Sequence, residues 1–241
     1  MLAVAEIALL IYGEDESIMR EDFSGREESN VYQTVRGKLI VLEGLDGSGK
    51  GTQIARLSEA LRQNGRKVHT TAEPTDSVTG GLLRDALSGL VKRDAYELSA
   101  LFLLDRIFHN VNKKNGIQQY LAQGYDVICD RYYYSSFAYQ GIEADLSWVM
   151  EMNLNCRKIL RPDVCIFLDI PPSVGDRRIR DDRSYREIYE NVDTQQRVRD
   201  RFYEVFALLK DRENIHIVDA ARSIEAVSAD ILKICEKLKE S

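Results

Sequence analysis

The sequence predicts an α/β fold of three layers, in which a five-stranded parallel sheet carries helices on both faces. Short apolar runs alternate along the chain with longer stretches that have helical spacing, which is typical of βαβ units. The apolar runs predict strands that are covered on both faces. Polar clusters follow several of these runs, where ligands bind in parallel sheets.

Each element follows from its local pattern. Ile54, Leu57 and Leu61 repeat at helical spacing in the first helix, and Gly65 closes it. Pro172 suits the first turn of a later helix, where its missing N–H costs nothing. The predicted strands are Lys38–Glu43, Lys67–Thr71, Tyr125–Cys129, Val164–Leu168 and Ile215–Val218. The predicted helices are Gly49–Gln63, Gly81–Leu90, Tyr96–Asn112, Leu146–Ile159, Pro172–Arg180, Val192–Lys210 and Ile224–Leu238.

Composition narrows the functional classes. The chain has 241 residues, 44% hydrophobic and 30% charged, which suits one sizeable globular domain. Its net charge of -6 argues against a general nucleic-acid binder, although a local basic cluster around a small anion stays open. The four cysteines form no C-x-x-C pair, and no apolar segment is long enough to span a bilayer. We therefore expect a cytoplasmic protein without membrane or nucleic-acid partners.

Residues 1–36 differ from the rest. They open with an apolar run that lacks a basic start and continue as an acidic, loop-like stretch, so a signal peptide is not expected. We predict a flexible or accessory extension, or an upstream start codon, before a single domain at 37–241. An extra strand or a dimer-contact arm is the alternative.

The stretch GLDGSGKGT, from Gly44 to Thr52, nearly matches the phosphate-loop pattern G-x-x-x-x-G-K-[ST]. It lies between a strand and a helix, so backbone N–H groups and the positive helix end converge on a phosphate. Lys50 is expected to reach the β- and γ-phosphates of ATP. The predicted ATP phosphate-binding residues are Gly44, Gly47, Ser48, Gly49, Lys50, Gly51 and Thr52.

Gly51 stands where a metal-binding hydroxyl is usual. The sequence GKGT resembles that of nucleoside monophosphate kinases of the adenylate kinase type. In those enzymes phosphates and waters hold most of the magnesium shell, and the next threonine, here Thr52, touches phosphate. This resemblance points to a small-molecule phosphotransferase.

Four further motifs follow in order: AEPT from Ala72, ALFLLDR from Ala100, DRYYYSSFAYQG from Asp130 and REIYENVDTQ from Arg186. With GLDGSGKGT they resemble the motifs of the thymidylate kinase family of P-loop nucleoside monophosphate kinases. Each motif is short, but five in the same order are a strong pattern. The resemblance runs from about Gly37 to the C-terminus, and it implies a P-loop kinase fold with a short mobile lid at GDRRIRDDRSYREIYEN.

The resemblance implies roles in phosphate transfer for Lys50, Asp130, Arg131 and a lid arginine. Asp130 would hold magnesium-bound water, with Thr52 as a weak second metal contact. Arg131 would bridge the donor and acceptor phosphates. Because the phosphate loop carries Gly47–Ser48 rather than an arginine, we expect the lid to supply one, and Arg183 is the first choice.

The resemblance also implies an acceptor site for dTMP. Phe102 would stack on thymine and Arg106, one turn later on the same helix face, would point at its carbonyl edge. Tyr139 would crowd the sugar C2′ position and disfavour ribonucleotides; plain core packing is the alternative for Phe102 and Tyr139. The predicted acceptor-binding residues are Asp46, Glu73, Phe102, Arg106, Arg131, Ser135, Ser136, Tyr139 and Gln195.

One position departs from the family pattern. An arginine usually precedes Glu73 and helps to hold the acceptor phosphate, but here the residue is Ala72. The loss of a charge-assisted contact costs about 1.5–3 kcal/mol unless it is replaced. Arg84 or Arg131 could replace it.

The sequence therefore predicts a kinase that converts ATP and dTMP to ADP and dTDP with Mg²⁺, and the resemblance implies a homodimer. Two alternatives stay open: a kinase for another deoxynucleotide or a nucleoside, and a nucleotide-binding homologue without turnover.

Overall fold

The computed structural model describes residues 36–182 and 191–238. Within them five parallel strands form one sheet in the order β2-β3-β1-β4-β5, so the predicted fold class is confirmed. The strands are β1 Leu39–Gly44, β2 Lys67–Ala72, β3 Tyr125–Asp130, β4 Val164–Asp169 and β5 Ile215–Asp219. The helices are α1 Lys50–Gln63, α2 Val78–Leu87, α3 Ala95–Val111, α4 Ile117–Ala122, α5 Tyr133–Tyr139, α6 Leu146–Leu154, α7 Pro172–Asp182, α8 Val192–Leu209 and α9 Ile224–Lys237, with a 3-10 turn at Gln140–Ile142.

The centre of the sheet is buried on both faces. Every side chain from Leu39 to Glu43 in β1 is inaccessible to solvent. Successive side chains of a strand point to opposite faces, so full burial means that helices cover both sides. The outer strands β2 and β5 are partly exposed. No helix within residues 36–182 and 191–238 has the length and apolar character needed to cross a membrane.

The register brings the chemically important segments to one edge. Leu42 of β1 lies beside Asp130 of β3, and Ala72 of β2 lies beside Asp130 from the other side. Parallel strands end at the same edge, so the segments that follow β1, β2 and β3 share it. These are the glycine-rich loop, the Glu73–Thr75 stretch and the start of α5.

Several element boundaries differ from the prediction. Helix α2 starts at Val78 rather than Gly81, because the Ser77 hydroxyl caps it by accepting a hydrogen bond from the Gly80 N–H. Helix α6 ends at Leu154 rather than at Ile159. The short helices α4 and α5 were not predicted. The N-cap residue of α5 makes no side-chain cap, so this helix has no local start signal.

Candidate phosphate-transfer site

The glycine-rich loop needs glycine for steric reasons at Gly47. Its φ of +75° is a left-handed conformation that other residues rarely adopt. A Cβ at this position would also lie 2.5 Å from the backbone oxygen of Gly175 in α7. A Cβ at Gly175 would in turn lie 2.5 Å from the backbone oxygen of Asp46. The loop and the first turn of α7 therefore pack backbone against backbone.

Lys50 is buried at the start of α1, and its ammonium group bends back over the loop. It donates to the backbone oxygens of Gly44 and Leu45, both at 3.1 Å. Burial, reinforced by the Arg131 charge, lowers the pKa of Lys50 from its ordinary value. The lysine therefore stands inside the loop that is predicted to hold phosphate.

Asp130 ends β3 beside the loop, and its Oδ1 is buried and accepts no hydrogen bond within the described residues. Asp130 lines a cavity of about 550 Å³ together with Lys50 and Thr52. Such an orphaned carboxylate oxygen fits an ordered water in the shell of a hard cation. In the described ranges no group of three His, Cys, Asp or Glu side chains is arranged as a metal cage, so phosphates and waters would have to supply most of the shell.

Arg131 contacts the glycine-rich loop and also lines a cavity on the side of α5. Its φ of 65° is unusual for a residue other than glycine, and such strain concentrates at functional sites. One guanidinium nitrogen pairs with Asp46. The other donates to the Gly44 backbone oxygen at 3.3 Å and to the Ser135 hydroxyl at 3.1 Å. The guanidinium also lies 5.3 Å from the Tyr139 ring centre. It therefore stands between the phosphate loop and α5.

A cavity of about 290 Å³ lies beside this arginine, and we call it the acceptor cavity. It combines an aromatic wall with several charged groups, as small-molecule sites usually do. It is lined by Asp46, Glu73, Pro74, Arg84, Leu87, Phe102, Arg106, Arg131, Tyr132, Ser135, Tyr139 and Gln140. Seven of the nine predicted acceptor-binding residues are in this set.

The other two predicted residues lie behind the wall. Ser136 is buried, and its hydroxyl accepts a hydrogen bond from Arg106 at 3.2 Å. Gln195 of α8 donates to Asp46 at 3.2 Å. Their predicted role in acceptor binding remains a prediction, and the structure shows them supporting residues that line the cavity.

Arg106 forms the charged floor of the acceptor cavity and is 1% exposed. Its Nε donates to Glu73 Oε2 at 2.8 Å, and one terminal nitrogen lies 2.7 Å from the same oxygen. The other terminal nitrogen donates to Asn153 at 2.7 Å. Among the described residues these contacts hold the buried guanidinium in one orientation and leave one N–H of Nη1 as a fixed donor for a ligand.

Sequence reasoning missed Asp105, the neighbour of Arg106. Its carboxylate accepts from the Thr75 N–H at 2.8 Å and from the hydroxyls of Thr75, Ser77 and Thr79 at 2.6, 3.0 and 2.7 Å. Burial acts to raise the pKa of Asp105, but these hydrogen bonds, those of Thr75 foremost, hold it below its ordinary value. Asp105 thus fixes the turn between β2 and α2. The Thr-x-Ser-x-Thr spacing is the sequence signal that could have indicated it.

Glu43 was also missed. This fully buried carboxylate accepts from the backbone N–H groups of Tyr132 and Ser135 at 2.8 and 3.2 Å, and from the Ser135 hydroxyl at 2.6 Å. It therefore provides the start of α5 with the cap that the local sequence lacks. Burial raises the pKa of Glu43 to about 7, against the opposing Arg131 charge and these hydrogen bonds. A charged residue inside an otherwise apolar strand was the available signal.

Two arginines outside the lists of predicted site residues lie at the site, and one of them, Arg84, was a predicted replacement for the missing arginine. Arg84 of α2 lines the acceptor cavity and is half-exposed, and it donates to the Thr75 backbone oxygen at 2.6 Å. Arg178 of α7 lines the cavity at Lys50 and donates to the backbone oxygens of Gly47 and Ala220 at 3.2 and 3.3 Å. The predicted lid arginine Arg183 lies outside the described residues.

A phosphate loop between β1 and α1, with a second, base-sized cavity across one shared arginine, defines a P-loop phosphotransferase with separate donor and acceptor sites. A sequence model of the family described as Thymidylate kinase matches residues 42–231. The chain belongs to the thymidylate kinase family.

Similar proteins agree with this assignment. The chain is 37% identical to a probable thymidylate kinase of Staphylothermus marinus, over 82% of this chain and 94% of the relative. It is 38% identical to a probable thymidylate kinase of Pyrococcus horikoshii, over 83% and 96%. A thymidylate kinase of Caldicellulosiruptor saccharolyticus is 33% identical, over 85% and 98%.

Proposed function

We propose that this protein transfers the γ-phosphate of ATP to dTMP, giving ADP and dTDP. The observation that carries the proposal is family membership over most of the chain, together with a phosphate loop and an acceptor cavity that share Arg131. Arg131 lines the acceptor cavity and contacts the phosphate loop at Gly44, which supports an in-line transfer between a donor at the loop and an acceptor in the cavity.

The protein contributes alignment and charge rather than a covalent intermediate. Lys50 and the loop amides hold the donor phosphates, and Arg131 neutralises charge between donor and acceptor. Arg178 contacts the loop from the lid helix, and lid closure would exclude water during transfer. Arg183 stays our first choice for the lid arginine that acts on the transferred phosphate.

We propose that the enzyme works with Mg²⁺. The metal neutralises phosphate charge and orients the donor. Asp130 would hold its water through the buried Oδ1 that accepts no hydrogen bond from the described residues, and Thr52 would make a weaker contact. The remaining oxygen ligands would come from ATP and solvent.

The acceptor cavity suits a pyrimidine deoxynucleotide. Phe102 and Arg106 are both in its wall, one as a stacking surface and one as a fixed donor to a ring carbonyl. Tyr139 closes the side next to Asp46, where the sugar would lie. We propose that Arg84 supplies the positive charge of the arginine that usually stands at the position of Ala72; its half-exposed side chain lines the same cavity, which supports this role.

We also propose a homodimer. Exposed apolar pairs lie one turn apart on two helices that pack together: Val78 and Leu82 on α2, and Leu104 and Phe108 on α3. Sedimentation equilibrium should report a dimer for the wild type and a monomer for Leu104→Glu. A monomeric wild type would contradict the proposal. The reducing cytosol is the proposed compartment, which is in keeping with four free cysteines.

The function is tested by following ADP formation from ATP and Mg²⁺ with dTMP, dUMP, dCMP, UMP, AMP and thymidine. The proposal expects dTMP to have the highest kcat/KM, and UMP to fall well below it. Preferential turnover of another acceptor would move the specificity, and tight ATP binding without turnover of any acceptor would overturn the kinase assignment.

A further inference from the structure

We propose that His109 is a positioning residue for base recognition: it fixes the carboxylate of Glu73, which in turn fixes Arg106 at the floor of the acceptor cavity. The inference rests on the proposed dTMP kinase function. The catalytic machinery described above does not include His109, and no motif of the sequence analysis assigned it a role.

The ring of His109 is buried on α3, one turn after Arg106. Its Nδ1 lies 3.0 Å from Glu73 Oε1, and its Nε2 lies 2.7 Å from the Thr71 hydroxyl. An ionised carboxylate only accepts hydrogen bonds, so Nδ1 carries a proton and donates to Glu73. In the neutral ring Nε2 accepts from Thr71. Both ring nitrogens are then satisfied, and the ring is held in one orientation.

Glu73 divides its two oxygens between its two partners. Oε1 faces His109, while Oε2 receives Arg106 Nε at 2.8 Å. Among the described residues His109 is the only hydrogen-bond donor to Oε1. Without it a buried oxygen would lose its partner, and the carboxylate would be free to turn both oxygens toward the guanidinium. That rotation would move the donor that Arg106 presents to the base.

The position of the ring makes this an orienting role. His109 lines a third cavity, of about 680 Å³, together with Thr71 and His69. The apolar core does not fill the space on its far side, so the two hydrogen bonds, and not close packing, hold the ring on that side. Loss of the Nδ1 donor should therefore change the position of the Arg106 guanidinium more than it changes the stability of the fold.

The test compares two amides at this position. In His109→Asn the side-chain amide nitrogen lies near the place of Nδ1 and can still donate to Glu73. In His109→Gln the amide nitrogen lies near the place of Nε2 and reaches toward Thr71 instead. The two variants are similar in polarity and differ in which side of the ring keeps its donor. His69→Leu is the matched control, because His69 lines the same 680 Å³ cavity as His109.

The measurements are kcat, the KM for dTMP and for ATP, the kcat/KM ratio of dTMP to dCMP, and the melting temperature. We expect His109→Gln to raise the KM for dTMP about tenfold and to lower the dTMP to dCMP ratio by a similar factor, with the KM for ATP within about twofold. His109→Asn should stay within about threefold of the wild type, and His69→Leu within about twofold.

Three outcomes would overturn the inference: equal effects of Asn and Gln, a change in melting temperature with no change in the dTMP to dCMP ratio, or a parallel rise in both KM values. If His109→Gln does not fold, Thr71→Val in the His109→Asn background carries the comparison, and it should keep the ratio of the single variant. A wild type inactive with dTMP would refute the proposed function instead, so the two failures are distinguishable.

Discussion

The phosphate loop and the acceptor cavity are neighbours that are built in different ways. The loop is one continuous stretch from Gly44 to Thr52, and the groups that we propose bind phosphate are mainly its backbone amides, which the glycines orient. The acceptor cavity collects side chains from several parts of the chain, including Glu73 and Pro74 after β2 and residues of α2, α3 and α5. Its floor is a buried ion pair between Glu73 and Arg106.

The difference separates catalysis from stability. A lysine whose partners are backbone carbonyls at the loop can be lost without leaving a charged partner behind. A buried arginine cannot, since removal of one member of a buried pair leaves the other uncompensated. Substitutions in the loop should therefore reduce the rate without unfolding the protein. Substitutions in the cavity floor should reduce both the rate and the stability of the fold.

Lys50→Ala should give the largest effect on rate. We expect kcat to fall about 10³-fold or more, because a charge that stabilises the transferred phosphate is lost. The melting temperature and dTMP binding, measured by calorimetry, should change little. Lys67→Ala is the control for loss of a lysine, because Lys67 lies at the start of β2, away from the edge of the sheet that carries the site. Activity within tenfold of the wild type would show that Lys50 is not part of the mechanism.

Arg106→Lys should weaken the cavity floor and the fold together. Lysine cannot reproduce the planar set of contacts with Glu73, Asn153 and Ser136. We expect kcat/KM for dTMP to fall about 100-fold and the free energy of unfolding to fall by about 3 kcal/mol. Kinetics and urea denaturation test this, with the exposed Arg93→Lys as control. A loss of activity without any loss of stability would contradict the two-part role.

Arg84→Ala should separate phosphate binding from stability within the acceptor cavity. The side chain is half-exposed, so we expect little change in the unfolding curve. The KM for dTMP should rise about tenfold while the KM for ATP is unchanged, because one charge-assisted contact is lost. Ala72→Arg in the same background should recover part of the loss. Equal changes in the two KM values would place Arg84 outside the acceptor site.

Glu43→Gln should show the smallest effect on rate, and its signature is a pH dependence of stability. Burial raises the pKa of Glu43 from 4.5 to about 7, so the folded protein binds this proton more tightly than the unfolded chain. The contribution of Glu43 is fully present below pH 4.5 and is lost as the pH rises to 7, by about 3 kcal/mol.

Denaturation of the wild type and of Glu43→Gln at several pH values from 4.5 to 8 measures this difference. The stability of the wild type relative to the variant should fall across the window and be constant above it. A difference that stays constant, or that grows with pH, would mean that Glu43 is ionised throughout.

Local signals accounted for most of the fold. The predicted strands and the long helices lie within a few residues of the observed ones, apart from the shifted α2 and the shortened α6. Ser77 shows why boundaries were harder: the cap that starts α2 early was visible in the sequence, but the Gly80–Gly81 pair obscured it. Helix α5 had no local start signal at all, because its cap comes from Glu43.

The residues of the site also fall into two groups, those that motifs located and those that only the structure showed. The phosphate loop, Asp130 and Arg131 could be located from motifs, since each acts within a few residues of a strand end. The roles of Ser136 and Asp105 could not, because their partners lie on other elements. Arg183 and the extension before residue 36 remain predictions, as both lie outside the described residues.

The sequence by itself determined the βαβ order, the phosphate loop and the family, because strand patterns, glycine turns and helix starts are short-range effects. Only the tertiary structure decided which partner each buried charge has. Glu43 meets the backbone of Tyr132 across 89 positions, and Arg106 meets Glu73 across 33. Burial penalises an unpaired charge, so these distant pairings are specified by the packed fold and not by the neighbouring sequence.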